Sequence, residues 1–102
     1  MTADEMTAAV RRKLNITWED ADTDARVADV VAKSEAAIVR LCDAPADPTT
    51  WDAEDVGLLL DAALYEFSNA MDDFRANYAD AIQSCRLKHL VTDDASLATT
   101  DA

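Results

Sequence analysis

Residues 52–74, DAEDVGLLLDAALYEFSNAMDDF, decide the fold. Apolar side chains recur there every three or four positions, which is the spacing of one face of an α-helix; they are Val56, Leu59, Leu60, Ala63, Leu64, Phe67, Ala70, Met71 and Phe74. A second apolar stripe is formed by Leu58, Ala62 and Tyr65. The pattern predicts one long central helix that is buried on nearly all sides. Because a chain of 102 residues can hardly cover such a helix alone, we expect other subunits to help.

The composition favours an all-α protein of one domain. Half of the residues are hydrophobic, only 6% are aromatic, and glycine occurs once, which suits helices better than sheets and tight turns. Nine Lys and Arg stand against 21 Asp and Glu, for a formal net charge of -12. A field of this sign repels polyanions, so it argues against a protein that grips nucleic acid or anionic lipid through phosphate contacts.

Two helices are predicted before the central one. Thr2 and Glu5 have the spacing of a capping box, which predicts a helix over residues 3–13. Its last turn is basic, and we interpret those cations as partners of the helix dipole rather than as a phosphate site. Asp22 or Thr23 is expected to cap a second helix over residues 23–42.

The connecting segments are also predicted. Between the first two helices, we expect Ile16 and Trp18 to drop into the core. Residues 43–48 contain two prolines, which end the second helix. After the central helix, an apolar pattern continues to about residue 91, either as the tail of that helix or as a fourth helix capped by Asn77.

Together these patterns predict a small bundle of three to four helices around one long central helix. The helical domain covers residues 1–91, and residues 92–102 are predicted to be a disordered acidic tail. No stretch is apolar enough to cross a membrane, and the N-terminus lacks a signal pattern, so we expect a protein that is made in the cytoplasm.

The sequence offers few groups for catalysis, which argues against an enzyme. The chain has a single histidine, His89, and no glycine-rich phosphate loop can be built around Gly57. Cys85 and His89 are four positions apart and share a helix face, so together with Cys42 they could offer three metal ligands. A structural zinc site usually has four ligands in tight local pairs, so we favour free, packed thiols and a hydrogen-bonded histidine. We therefore predict no catalytic residues, no cofactor and no metal.

Polar residues along the central region have two interpretations. Tyr65, Glu66, Asn69 and Asp73 follow one another on the predicted helix, with more polar residues just beyond. They could form a solvated face, or a polar strip that fixes the register against a neighbouring subunit. The predicted subunit-interface residues are Trp18, Leu58, Tyr65, Asn69, Asn77 and Tyr78.

The order of several short motifs resembles a known family. The motifs are Ile16-Thr17-Trp18-Glu19-Asp20, Asp22-Thr23-Asp24, Leu58-Leu59-Leu60, Tyr65, Asn69-Ala70, Phe74, Asn77-Tyr78, Ile82 and Arg86. In this order and spacing, over residues 6–87, they resemble the small head-tail connector (adaptor) proteins of tailed bacteriophages. The chain departs from the family pattern at Cys85, where a larger aliphatic residue is expected, and in the proline-containing loop.

This resemblance implies a structural protein of the virion. Members of that family are small helical proteins that form a ring beneath the portal of the capsid, join the head to the tail and let the genome pass through the middle. The implied partners are further copies of the chain, the phage portal protein and a downstream tail-completion protein. DNA would pass through the lumen without specific binding, and an acidic lining would let it slide.

One rival from a different class remains open. An acidic helical protein can also bind a host protein by mimicking the charge of DNA. Such a regulator should be a monomer or dimer with acids spaced like phosphates over one face. A connector should instead form rings or bind a portal, so the state of assembly separates the two hypotheses.

Overall fold

The fold is a small bundle of α-helices. The computed structural model describes residues 1–101, with side chains described for residues 1–90. The helices are α1 (Ala3–Lys13), α2 (Ala21–Cys42), α3 (Ala53–Phe67), α4 (Met71–Asn77) and α5 (Ala79–Asp101), with a short 3-10 helix at Pro48–Thr50. Residues 1–101 contain no strand, so the all-α prediction is confirmed.

Local capping sets the starts of the first two helices. The Glu5 N–H donates to Thr2 Oγ1 at 3.1 Å, and the Thr2 N–H donates to Glu5 Oε1 at 2.8 Å, so the predicted capping box and both bounds of α1 are confirmed. α2 begins two residues earlier than predicted. Its N-cap is Asp20, whose carboxylate accepts from the Thr23 N–H at 2.8 Å, and not Asp22 or Thr23.

The predicted unbroken helix over residues 52–74 is wrong. α3 ends at Phe67, and the chain turns through Asn69, which has a φ of 56°. The turn is closed by the Ala70 N–H, which donates to the Tyr65 carbonyl at 2.8 Å. Asparagine tolerates this left-handed conformation better than most residues, which is why the helix can stop here without a glycine.

The region after Phe67 forms two further helices. α4 is a short helix that ends at Asn77, so Asn77 closes a helix instead of capping the next one. α5 starts at Ala79 and is separate from α3, which resolves the alternative that the sequence left open. The predicted disordered tail covers residues 92–102, whose side chains lie outside the described residues. It therefore stays a prediction.

The core is shared by all five helices and covers one side of α3. Leu59, Ala62 and Ala63 are completely buried, together with side chains from the other helices such as Val10, Ile38, Phe74 and Cys85. Leu64 is the large apolar side chain of α3 that is exposed, at 43%. Val56, Leu60 and Phe67 are only partly buried, so the predicted burial of this helix on nearly all sides is wrong. The expectation that other subunits help to cover α3 stays a prediction.

The two tryptophans take different places. Trp51 is buried before α3, and its Nε1–H donates to the Pro45 carbonyl at 2.7 Å, which holds the proline loop against the core. Ile16 is buried as predicted, but Trp18 is 55% exposed and the prediction that it enters the core is wrong. Its Nε1–H donates to Thr23 Oγ1 at 3.0 Å, so the indole lies over the start of α2 instead.

Within residues 1–101, no helix combines the length and the apolar character that crossing a lipid bilayer requires.

Candidate functional site

Three of the six predicted interface residues come together. Asn77 Nδ2 donates to the Tyr65 hydroxyl at 3.3 Å, and the rings of Tyr65 and Tyr78 meet edge to face at 5.8 Å. Phe74 is buried beneath them and stacks on Tyr78 at 4.8 Å. We call Tyr65, Phe74, Asn77 and Tyr78 the aromatic patch. Because Tyr65 and Tyr78 are only partly buried, the patch reaches the surface and can contact another molecule.

The other three candidates are dispersed. Asn69 lies exposed in the turn between α3 and α4. Trp18 is exposed in the loop between α1 and α2, where Arg11 donates to its carbonyl. Leu58 is 6% exposed and belongs to the core, so its prediction as an interface residue is wrong. Leu58 was predicted because it lies on the second apolar stripe of the helix. In the structure, other parts of the same chain cover Leu58.

A second surface, which the sequence analysis missed, lies on α5. Leu87 and Leu90 are 51% and 54% exposed. With Ala79, Ile82, Gln83 and Arg86 they line a shallow groove of about 530 Å³, and Arg86 pairs with Asp43 at its edge at 3.3 Å. We call Ile82, Leu87 and Leu90 the α5 outer stripe. The sequence pattern groups Tyr78, Ile82, Cys85 and Leu90 together. In the structure Cys85 is buried and Leu90 is exposed, so packing separates residues that periodicity placed in one pattern.

The α5 outer stripe begins beside the aromatic patch and turns away from it. The Ile82 N–H donates to the Tyr78 carbonyl at 2.8 Å, so Ile82 lies one turn after Tyr78 and on nearly the same side. Leu87 follows Tyr78 by nine positions, which turns its side chain by about 180° around the helix axis at 3.6 residues per turn. The exposed leucines Leu87 and Leu90 therefore face away from the patch.

A buried ionisable cluster joins α3 to α5. Asp55, in the first turn of α3, is 1% exposed, and its Oδ1 accepts from three side chains of α5. The Cys85 thiol and His89 Nε2 each lie at 2.9 Å, and Lys88 Nζ lies at 3.2 Å. We call Asp55, Cys85, Lys88 and His89 the Asp55 cluster. Lys88 also binds the N-cap carboxylate of Asp52 at 2.9 Å, so the cluster fixes the start of α3 to α5.

The electrostatics keep Asp55 ionised. Burial raises the pKa of Asp55, but the hydrogen bonds from α5 outweigh burial and the net shift is downward. Burial lowers the pKa of Lys88, but its bonds to Asp52 and Asp55 outweigh that effect and the net shift is upward. Both shifts favour a carboxylate and an ammonium in contact. Because a carboxylate only accepts hydrogen bonds, Nε2 of His89 carries a proton.

The two cysteines are not activated nucleophiles. Burial and the hydrogen bond to Asp55 raise the pKa of Cys85. Burial also raises the pKa of Cys42, whose thiol neighbours that of Cys85. Both cysteines are buried and free, as predicted. A thiol with a raised pKa is a poor nucleophile, so these groups lend no support to covalent catalysis.

Three metal-ligand types nevertheless meet in the cluster. Asp55, Cys85 and His89 each offer one ligand atom, and the three atoms lie within 4.8 Å of one another. The sequence shows the spacing of Cys85 and His89, but it suggested Cys42 and not Asp55 as the third ligand. A usable signal was present, since Asp55 precedes Leu59 by four positions and Ala62 by seven, and so lies on a buried stripe of α3.

Acid should destabilise the fold. The pKa of Asp20 is lowered by the Thr23 N–H, that of Asp52 by the Asp55 N–H and by Lys88, and that of Asp55 as described above. A carboxyl group with a lowered folded-state pKa contributes stability above its unfolded pKa, about 3.9 for Asp, and loses it as the pH falls through the folded pKa. Burial raises the pKa of Glu35, so protonation of Glu35 in acid favours the folded state.

We therefore expect the melting temperature to be nearly constant from about pH 7 to 5 and to fall steadily below about pH 4. Circular dichroism melts across this range measure it. The Asp55→Asn variant should melt lower at pH 7 but lose less on acidification. A wild-type melting temperature that stays level down to pH 3 would contradict the assignment.

Comparison with models of protein families, with curated proteins and with solved structures gives no match for this chain, so the resemblance to phage connectors stays a prediction.

Proposed function

We propose that this chain is a structural subunit of a phage head-tail connector, which assembles as a ring on the portal and joins the capsid to the tail. The observation that carries the proposal is the α5 outer stripe. Leu87 and Leu90 each expose more than half of their surface next to the partly buried Ile82. Adjacent exposed leucines along one side of a helix are typical of a surface that another protein covers.

Two different surfaces suit a ring. A cyclic assembly of more than two subunits uses head-to-tail contacts, in which one surface of each subunit meets a different surface of the next. The exposed leucines Leu87 and Leu90 and the aromatic patch provide such a pair. The patch also supplies hydrogen-bonding groups, the hydroxyls of Tyr65 and Tyr78 and the amide of Asn77, which can fix the register between subunits.

The charge of the chain suits a passage for DNA. With a formal net charge of -12, each subunit adds to a field that repels phosphate. DNA that makes few cation-phosphate contacts releases few counterions and is held weakly, so it can move. In this proposal the protein locates to the head-tail junction of the virion and needs neither a cofactor nor catalysis.

The test uses the chain and the portal protein encoded with it. Negative-stain microscopy of the mixture should show rings seated on the portal. Leu87→Glu combined with Leu90→Glu places two charges in the proposed contact and should abolish ring formation. Ala32→Glu is the matched control, because Ala32 is exposed on α2 outside both surfaces, and it should assemble normally.

Asn69 needs a separate substitution. Replacing Asn69 by leucine would strain its left-handed backbone as well as remove its amide, whereas Asn69→Gly removes the amide without strain. If Asn69 lies in a subunit contact, Asn69→Gly should weaken assembly while the helical circular dichroism stays unchanged.

Two results would count against the connector. Normal ring formation by the double glutamate variant would remove the α5 outer stripe from the interface. A monomer or dimer that ignores the portal and binds a DNA-binding host protein would favour the rival, an acidic mimic of DNA.

A further inference from the structure

We propose that Asp55, Cys85 and His89 form a binding site for a divalent transition metal ion, and that Zn²⁺ suits this donor set best. The proposal is independent of the connector function. A carboxylate oxygen, a thiolate sulfur and an imidazole nitrogen are the three ligand types that proteins use for zinc. Hard ions such as Mg²⁺ and Ca²⁺ prefer oxygen ligands alone, so a site with sulfur and nitrogen selects against them.

The distances leave room for an ion after a small adjustment. Asp55 Oδ1 lies 2.9 Å from both Cys85 Sγ and His89 Nε2, and all three atoms lie within 4.8 Å of one another. With zinc bonds of about 2.0 Å to oxygen and nitrogen and about 2.3 Å to sulfur, tetrahedral geometry needs roughly 3.3–3.5 Å between ligand atoms. The oxygen must therefore move away from its two partners by about half an ångström. Cys85 Sγ and His89 Nε2, which lie within 4.8 Å of each other, must approach to about 3.5 Å. Side-chain rotations of Asp55, Cys85 and His89 supply both movements.

The backbone holds the ligands on two helices. Cys85 and His89 are one turn apart on α5, the spacing that puts two ligands on the same helix face. Asp55 comes from the first turn of α3, where the Asp52 cap fixes the backbone. An ion at this point would join α3 to α5 across a separation of 30 residues in the sequence and would stabilise the pair.

The charges balance when the ion binds. The S–H bond of Cys85 breaks, an Sγ–Zn bond forms, and the thiol proton leaves to solvent. The N–H bond at Nε2 of His89 also breaks, its proton passes to solvent, and solvent supplies the proton on Nδ1, so that His89 binds through Nε2 as neutral imidazole. One carboxylate and one thiolate then neutralise the two charges of the ion. Lys88 loses its contact with Asp55 but keeps Asp52 at 2.9 Å and Glu54 at 3.6 Å, and a water molecule takes the fourth coordination position.

The experiment uses the full chain after removal of metal with a chelator. Titration with Co²⁺ should give a 1:1 complex with the near-ultraviolet charge-transfer absorption of a cobalt-thiolate bond, and added Zn²⁺ should abolish that absorption. Zn²⁺ at one hundred times its dissociation constant should raise the free energy of unfolding by about 2.7 kcal/mol. Mg²⁺ should do neither.

The variants assign the ligands. Cys85→Ser should lose the charge-transfer absorption, and His89→Gln and Asp55→Asn should each weaken Zn²⁺ binding at least tenfold. Cys42→Ala is the matched control, because Cys42 is a buried thiol beside Cys85 but outside the ligand set, and it should keep both the absorption and the affinity. Loss of binding in Cys42→Ala with retention in Cys85→Ser would overturn the assignment. Absence of 1:1 binding by the wild-type chain would overturn the site itself, whatever the stability of the variants.

Discussion

The Asp55→Ala variant is expected to lose about 3 kcal/mol or more of its free energy of unfolding. Asp55 is buried, and its Oδ1 accepts hydrogen bonds from three side chains of α5. Without Asp55 the Cys85 thiol and the His89 Nε2–H lose their acceptor, at a cost of about 1–3 kcal/mol for each unsatisfied buried group. Lys88 loses one of its carboxylate partners but keeps Asp52 and Glu54. For a domain of this size, a loss of 3 kcal/mol lowers the melting temperature by roughly 12 °C.

The measurement is urea unfolding in the presence of a chelator, so that no metal contributes. Asp22→Ala is the matched control, because Asp22 is an exposed acid in the first turn of α2. Its removal should cost less than about 1 kcal/mol. Equal losses in the two variants would mean that the Asp55 cluster does not hold α5 against α3.

The Phe74→Ala variant should lose about 3–5 kcal/mol. Phe74 is completely buried, stacks on Tyr78 at 4.8 Å and meets Tyr65 at 5.7 Å. Truncation leaves a cavity that the short helix α4 cannot close without moving, and large-to-small changes of this kind cost several kcal/mol. Because Phe74 supports both tyrosines of the aromatic patch, the variant should also assemble poorly.

Phe67→Ala is the control for this substitution. Phe67 is only partly buried at the end of α3, where the Arg26 guanidinium lies 4.3 Å from the ring centre. Its truncation should cost clearly less than that of Phe74 in the same chemical denaturation experiment. A larger effect at Phe67 would contradict the description of the core.

Structure set by neighbouring residues was predictable from the sequence. The capping box of Thr2 and Glu5 gave the start of α1, because its atoms lie within one turn. The break after Phe67 was not predictable in the same way. Phe67, Met71 and Phe74 keep the helical spacing of four and three, so apolar periodicity continues through a turn that Asn69 makes.

The candidate sites depended on contacts that are distant in the sequence. The i,i+4 spacing of Cys85 and His89 was visible, but their partner Asp55 lies 30 residues before Cys85 and meets it only when α5 packs on α3. The α5 outer stripe was missed for a related reason. The helix carries apolar residues on more than one side, and packing decides which of them remain exposed.

The mass of the complex between this chain and its portal protein tests the central claim most directly. Light scattering of the purified mixture should give a complex whose mass exceeds that of the portal by many copies of the chain, and the Leu87→Glu, Leu90→Glu double variant should leave the portal mass unchanged. A wild-type chain that remains a monomer beside an unaltered portal would contradict the proposed function.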